Sequence, residues 1–197
     1  MNAEANFTKQ QVDALLGQGG DVREFTWAFP TFPQPLSASI NLANPAEGVL
    51  LKTVETLNDL LRIGESQRDR IRKLLFEAAM RARESAAYGD PDAPKIPLKK
   101  SLWEKFTGQA PALHFVAIDV GDPQHPCHFQ DGVNGVDEKV KYTGWEITED
   151  DTCQHRFAVL HCYPQWEEEH GARIILRNGE PVAVTDYPED FASYDSI

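Results

Sequence analysis

The sequence predicts an α+β protein in which an antiparallel sheet carries a helical hairpin packed on one face. Two strand-like segments come first and two helical segments follow them. Strand-forming runs then dominate the second half of the chain. With 197 residues, of which 41% are hydrophobic, the chain can bury a substantial core without disulfides. We therefore interpret residues 1–197 as a single domain.

The first 42 residues predict an N-terminal arm and a pair of strands. Residues 1–20 form the arm, with a short amphipathic helix that ends at a run of glycines. Residues 22–42 form the strand pair. Phe25, Trp27 and Phe29 alternate with smaller or polar residues, which is the period of a strand. A proline-rich turn separates the two strands.

Residues 45–89 predict two helices joined as a helical hairpin. Asn44 followed by Pro45 is a typical N-cap and first-turn pair. Gly64 separates the two helices, and the second helix ends near Gly89. The first helix places apolar residues on one face at helical spacing: Leu50, Val54, Leu57, Leu60 and Leu61.

Residues 101–197 predict an antiparallel meander of strands. Asn178-Gly179 is a strong signal for a tight hairpin turn between the last two of them. A long loop rich in Gly, Pro, Asp and His follows the first strand, at 121–137. The predicted strands are 112–120, 142–147, 156–163, 172–176 and 181–184.

The charge distribution limits the possible partners. Residues 1–100 hold 13 basic and 13 acidic residues, whereas residues 101–197 hold 6 basic and 18 acidic residues, so the whole net charge of −12 lies in the second part. An acidic surface disfavours binding to nucleic acid or to an anionic membrane and favours cationic partners. Acidity that serves solubility alone would produce the same count.

We expect a cytoplasmic protein. No apolar stretch is long enough to span a bilayer, and the first residues lack the basic and apolar regions of a signal peptide. The three cysteines, Cys127, Cys153 and Cys162, are therefore expected to be reduced thiols. The sequence assigns no oligomeric state.

No catalytic or cofactor-binding pattern is found in the sequence. It contains no nucleophile elbow and no phosphate-binding glycine loop. All six histidines and all three cysteines lie between His114 and His170, but they lack the paired spacing of a zinc site. We expect no catalytic residue, no cofactor and no metal ligand. A metal-dependent enzyme that uses this His/Cys-rich half, or a generic scaffold subunit, stays open as an alternative.

The acidic runs of the second half predict a surface for a protein partner. We expect several runs to meet at one edge of the sheet, where aromatic residues beside them would form an interface. Solvated loops that bind nothing are the alternative interpretation. The candidate contacts are Asp131, Asp137, Glu138, Trp145, Glu149, Asp150, Asp151, Glu167 and Glu168.

The segment from Phe157 to Val182, with its Trp166-Glu-Glu-Glu-His-Gly171 turn, resembles a small bacterial domain of unknown function. That family has a strand, a Trp-Asp/Glu-x-Glu-His-Gly turn and a closing hairpin, and residues 22–88 resemble its upstream part. Such domains occur among immunity proteins of polymorphic toxin and type VI secretion systems. The resemblance implies a stoichiometric inhibitor of a cognate toxin, possibly a nuclease, in the cytosol. It also implies that Trp166, Glu169, His170 and Gly171 form the turn and are not catalytic.

Overall fold

The protein has an α+β fold built on a mixed sheet of six strands. The computed structural model describes residues 6–16, 21–29, 31–44, 46–89, 127, 129, 131–149, 152–167, 169–186 and 191–196. The strands are β1 (Val22–Trp27), β2 (Leu36–Asn41), β3 (Val140–Thr148), β4 (Phe157–Pro164), β5 (Ala172–Arg177) and β6 (Glu180–Thr185). The helices are α1 (Lys9–Leu16), α2 (Leu51–Leu61), α3 (Glu65–Gly89), a 3-10 helix η1 (Gly132–Lys139) and α4 (Ala192–Asp195).

The sheet order follows the chain, from β1 to β6. All neighbouring strands are antiparallel except β2 and β3, which are parallel, with Ser37 opposite Gly144 and Ile40 opposite Ile147. The prediction of a wholly antiparallel sheet is therefore wrong. Parallel neighbours need a long crossover, and the chain between β2 and β3 contains α2 and α3. A meander of local hairpins could not supply that connection.

The predictions made from local patterns agree well with these elements. The strand pair at 22–42 is confirmed as β1 and β2, and the last four predicted strands are confirmed as β3 to β6. Asn178 and Gly179 have φ angles of 51° and 80°, and Arg177 pairs with Glu180 across them, so the tight hairpin turn is confirmed. The predicted strand at 112–120 lies outside the described residues.

Buried side chains on one face of the sheet contribute to the main core. Buried side chains of α2 and α3 join those of the central strands in one cluster. The helices contact different neighbours, since α2 lies against α1 and β3, whereas α3 lies against η1 and β6. Leu57, Leu60, Ile71, Leu75, Ile40, Leu160 and Ile174 are each at most 1% exposed.

The opposite face of the sheet is more polar, with a small second core at one end. Cys153, Phe157 and Ile175 form that core, and Phe191 stacks on Phe157 with the ring centroids 5.1 Å apart. Asp195 of α4 accepts backbone hydrogen bonds from residues 154 and 155 and so closes this end. No described helix has both the length and the apolar composition needed to cross a membrane.

Candidate functional site

Two surface segments meet where β3 begins and β4 ends. The 3-10 helix η1 runs into β3, and the turn at 165–170 follows β4. The backbone N–H of Gln165 donates to the carbonyl of Lys139 at 2.9 Å, and the rings of Phe129 and Trp166 make an edge contact at 5.5 Å. Four carboxylates on these segments form what we call the acidic edge: Asp131, Glu138, Glu167 and Glu169.

Asp137 attaches η1 to α3. Its Oδ1 accepts from Arg68 Nη2 at 2.7 Å and from the Tyr142 hydroxyl at 2.9 Å, and its Oδ2 accepts from Arg72 Nε at 2.8 Å. Burial raises the pKa of Tyr142, so the phenol stays protonated and donates. Asp137 was predicted as a partner contact, but both of its oxygens are used inside the protein. We therefore assign it a structural role.

Hydrogen bonds to Glu167 hold the described residues of the turn after β4. Gly171 follows it with a φ of 70°, and its N–H donates to the carbonyl of Glu167 at 3.1 Å. His170 Nδ1 lies 3.0 Å from Glu167 Oε1. That hydrogen bond, together with the negative charge of Glu169, raises the pKa of His170.

Two other predicted contacts belong to the interior. Trp145 is 1% exposed and packs against Phe29 and Phe32 at 5.7 Å from each ring, because a bulge between Tyr142 and Gly144 shifts the alternation of β3 and turns Trp145 toward the core. It is therefore not available to a partner, which corrects the prediction. The side chain of Glu149 accepts hydrogen bonds from Leu50 N, Thr53 Oγ1 and Ala43 N at 2.7–3.0 Å and so holds the start of α2.

The remaining predicted contacts divide between the acidic edge and the rest of the chain. Asp131 and Glu138 are exposed, and Glu167 is half-buried beside His170. Glu149 lies at the far end of β3, away from all three. Asp150, Asp151 and Glu168 lie outside the described residues, so they stay predictions.

Sequence reasoning did not find a paired carboxylate and imidazole on the polar face of the sheet. Glu146 Oε2 of β3 lies 2.8 Å from His161 Nε2 of β4, and Glu146 Oε1 accepts from Asn41 Nδ2 of β2 at 2.9 Å. The hydrogen bond from His161 lowers the pKa of Glu146. Strand alternation places both residues on one face, but their contact depends on the register, with Gly144 opposite His161.

The described cysteines do not form a reactive centre. All three are buried, and burial raises the pKa of the Cys162 thiol to about 12. Within the part of the chain that the structure describes, no three His, Cys, Asp or Glu side chains are grouped so that they could hold a metal ion.

Comparison with known proteins identifies one domain. Residues 124–191 match a family described as a domain of unknown function, DUF6985. The match includes η1 and β3 to β6, and therefore all of the acidic edge. Nothing in that description links the family to immunity proteins or to secretion systems. No curated protein matches the chain, and no solved structure matches it.

Proposed function

We propose that this protein is a non-enzymatic binding module whose acidic edge docks a basic surface of a partner protein. Following the resemblance of Phe157 to Val182, the partner is a cognate bacterial toxin, and the protein is the cytosolic immunity protein that neutralises it. One observation supports this most directly. Two segments, separated in the sequence, are each fastened to the core and together present Asp131, Glu138, Glu167 and Glu169 at one end of the sheet.

The attachment of both segments matters for affinity. Carboxylates on a rigid backbone lose little conformational entropy on binding, so more of the interaction energy remains. Asp131, Glu138 and Glu169 make no ion pair within the described part of the chain, so their charges remain available. An unpaired acidic surface accelerates the encounter with a cationic partner and weakens as salt is added.

The proposal extends to the class of toxin. A nuclease presents a basic groove to the phosphates of its substrate. An acidic edge would compete with those phosphates for the same cationic side chains, which blocks the active site without chemistry in the inhibitor. The protein then needs neither a cofactor nor a catalytic residue of its own.

The first experiment is co-expression with the protein encoded by the adjacent gene. We expect that protein to inhibit growth alone, and we expect the pair to co-purify and growth to recover. An adjacent product that is not toxic, or that neither binds nor is neutralised, would contradict the assignment as an immunity protein.

A charge-reversal pair tests the acidic edge itself. Asp131→Lys with Glu138→Lys should slow association with the toxin roughly tenfold or more at low salt, since attraction becomes repulsion. The matched control is Asp21→Lys with Glu24→Lys, which changes the net charge equally at the edge strand β1, away from the acidic edge. Association rates measured at several salt concentrations should separate the two variants. Equal slowing would show that net charge, and not the acidic edge, controls binding.

A further inference from the structure

A cleft lies beside the acidic edge, between α3, the start of β3 and the segment that joins β1 to β2. Its volume is about 610 Å³, within the range of small-molecule sites, which is roughly 300–1,000 Å³. The lining combines apolar walls with cationic groups, and the residues that matter here are Thr31, Phe32, Leu36, Arg68, Val140 and Lys141.

Arg68 is the fixed cation of this cleft. Its side chain is 3% exposed, and its guanidinium carbon lies 4.3 Å from the centre of the Phe32 ring and 4.2 Å from that of Tyr142. Asp137 holds the Nη2 end at 2.7 Å. Aromatic rings and a carboxylate therefore fix the guanidinium in one orientation before any ligand arrives.

Two polar groups of the cleft lining are buried without a partner. Arg68 Nη1 and Thr31 Oγ1 have no hydrogen-bond partner among the described residues. Burying such a group without a partner destabilises the folded protein, and burying a charged group without a partner destabilises it more. Native proteins keep few of them, and sites that bind a ligand are one reason to keep them. A guanidinium nitrogen and a hydroxyl are both donors to an oxygen acceptor.

The charges around the cleft favour a ligand with a single negative charge. Arg68, Arg72 and the exposed Lys141 supply positive charge. Asp137 pairs with both arginines and Arg72 also pairs with Glu65 and Asp69, so Lys141 is the cation of the lining that no described ion pair neutralises. A dianionic phosphate would be repelled by Asp137 more than a monoanion would. Because Asp137 occupies Nη2, the guanidinium offers Nη1 to one oxygen of a carboxylate and the Thr31 hydroxyl can donate to the other, while Leu36 and Val140 provide apolar contact for the rest of the molecule.

We infer that this cleft is a binding site for a small organic monocarboxylate. Its carboxylate accepts hydrogen bonds from Arg68 Nη1 and Thr31 Oγ1, and its apolar part lies against Leu36 and Val140. This inference does not depend on the proposed binding of a toxin, because it concerns a small ligand and side chains that are not part of the acidic edge.

Three probes that share a phenyl ring test the ligand chemistry on the whole chain. Benzoate should bind saturably, with a Kd on the order of 1 mM or tighter, as expected for a ligand of this size. Benzamide, which has the same shape without the charge, should bind at least tenfold more weakly, and phenyl phosphate should also bind more weakly. Calorimetry and the NMR signals of the arginine Nε–H groups report binding. If benzoate shows no saturable binding, the inference is overturned. If benzamide binds as tightly as benzoate, the site does not recognise a carboxylate. If phenyl phosphate binds more tightly than benzoate, the site is one for phosphates and not for monocarboxylates.

Two variants test the assigned donors. Thr31→Val keeps the side-chain shape and removes the hydroxyl, so benzoate should bind about two- to tenfold more weakly, the effect of one hydrogen bond. Arg68→Lys keeps the charge and removes Nη1, so saturable binding should be lost. Thr26→Val, at an exposed position of β1, is the control and should bind like the wild type. If Arg68→Lys does not fold, the test depends on Thr31→Val alone. Unchanged affinity of Thr31→Val for benzoate would overturn the placement of the ligand carboxylate beside Thr31.

Discussion

Gly171 shows at the scale of one residue why the turn beside the acidic edge needs glycine. Its φ of 70° lies in the left-handed region, and a Cβ there would lie 2.9 Å from the carbonyl oxygen of Cys162 and 3.2 Å from the Tyr163 ring. Gly132 at the start of η1 has a φ of 58°, but a Cβ there would meet nothing within 4 Å. The two positions share the backbone requirement and differ in the space available.

Alanine substitutions at Gly132 and Gly171 separate the energetic cost of the left-handed backbone conformation from the cost of a steric clash. Gly132→Ala should lose about 1 kcal/mol of unfolding free energy, the cost of a left-handed conformation in a non-glycine residue. Gly171→Ala should lose roughly 2–4 kcal/mol, because the clash with the Cys162 carbonyl is added to the same backbone cost. Urea unfolding measures both losses. Equal losses would mean that the strand β4 moves aside at little cost.

At the scale of an element, η1 depends on α3 for its position. A 3-10 helix has poorer hydrogen-bond geometry than an α-helix and gains little stability by itself. Asp137 compensates by linking η1 to Arg68 and Arg72 of α3 and to Tyr142 of β3. The acidic edge therefore rests on a partly buried ion pair, in which Arg68 is buried and Asp137 is half-buried, formed by residues far apart in the sequence.

Asp137→Asn should destabilise the protein by roughly 2–4 kcal/mol, because it leaves the buried Arg68 without a counter-charge. Glu138→Gln, one residue later on the exposed side of η1, should change stability by less than about 0.5 kcal/mol. Urea unfolding gives both values, and hydrogen exchange should show faster opening of η1 in Asp137→Asn. A stable Asp137→Asn variant with protected η1 amides would show that the aromatic rings alone hold Arg68.

At the scale of the whole molecule, two carboxylates connect separate parts of the fold and make it sensitive to acid. The hydrogen bond from His161 lowers the pKa of Glu146, and two backbone N–H groups lower the pKa of Asp195 to about 2. A carboxylate with a lowered pKa in the folded state stabilises the protein above its unfolded pKa, and this stabilisation is lost as pH falls. Glu146 links β2 to β4, and Asp195 links α4 to residues 154 and 155.

The pH dependence of one variant tests this role of Glu146. Glu146→Gln should be less stable than the wild type near neutral pH. The gap should begin to close as pH falls below 4.5, the ordinary pKa of a glutamate, and should close fully as pH falls through the lowered pKa of the folded-state carboxylate. Urea unfolding from about pH 7 to about pH 3 follows the gap. Glu24→Gln, at an exposed position on the edge strand β1, should show no gap at any pH. A gap that stays constant would assign the loss to packing and not to charge.

Local sequence patterns were sufficient for most of the elements. The short apolar runs in Phe157–Pro164 and Ala172–Arg177 predict strands because β-branched, aromatic and other apolar residues favour strands. Asn178-Gly179 predicts its turn because both residues tolerate positive φ.

Contacts between distant segments decided the strand pairing and the environment of individual side chains. Pairing and register depend on the free energy of the whole core and not on the local sequence pattern. The parallel pairing of β2 with β3 is one such contact. Others are the burial of Trp145, the use of Asp137 as an internal ion pair, and the meeting of Glu146 with His161. Composition places the negative charge in the second half, whereas the fold selects which carboxylates stay exposed together at one end of the sheet.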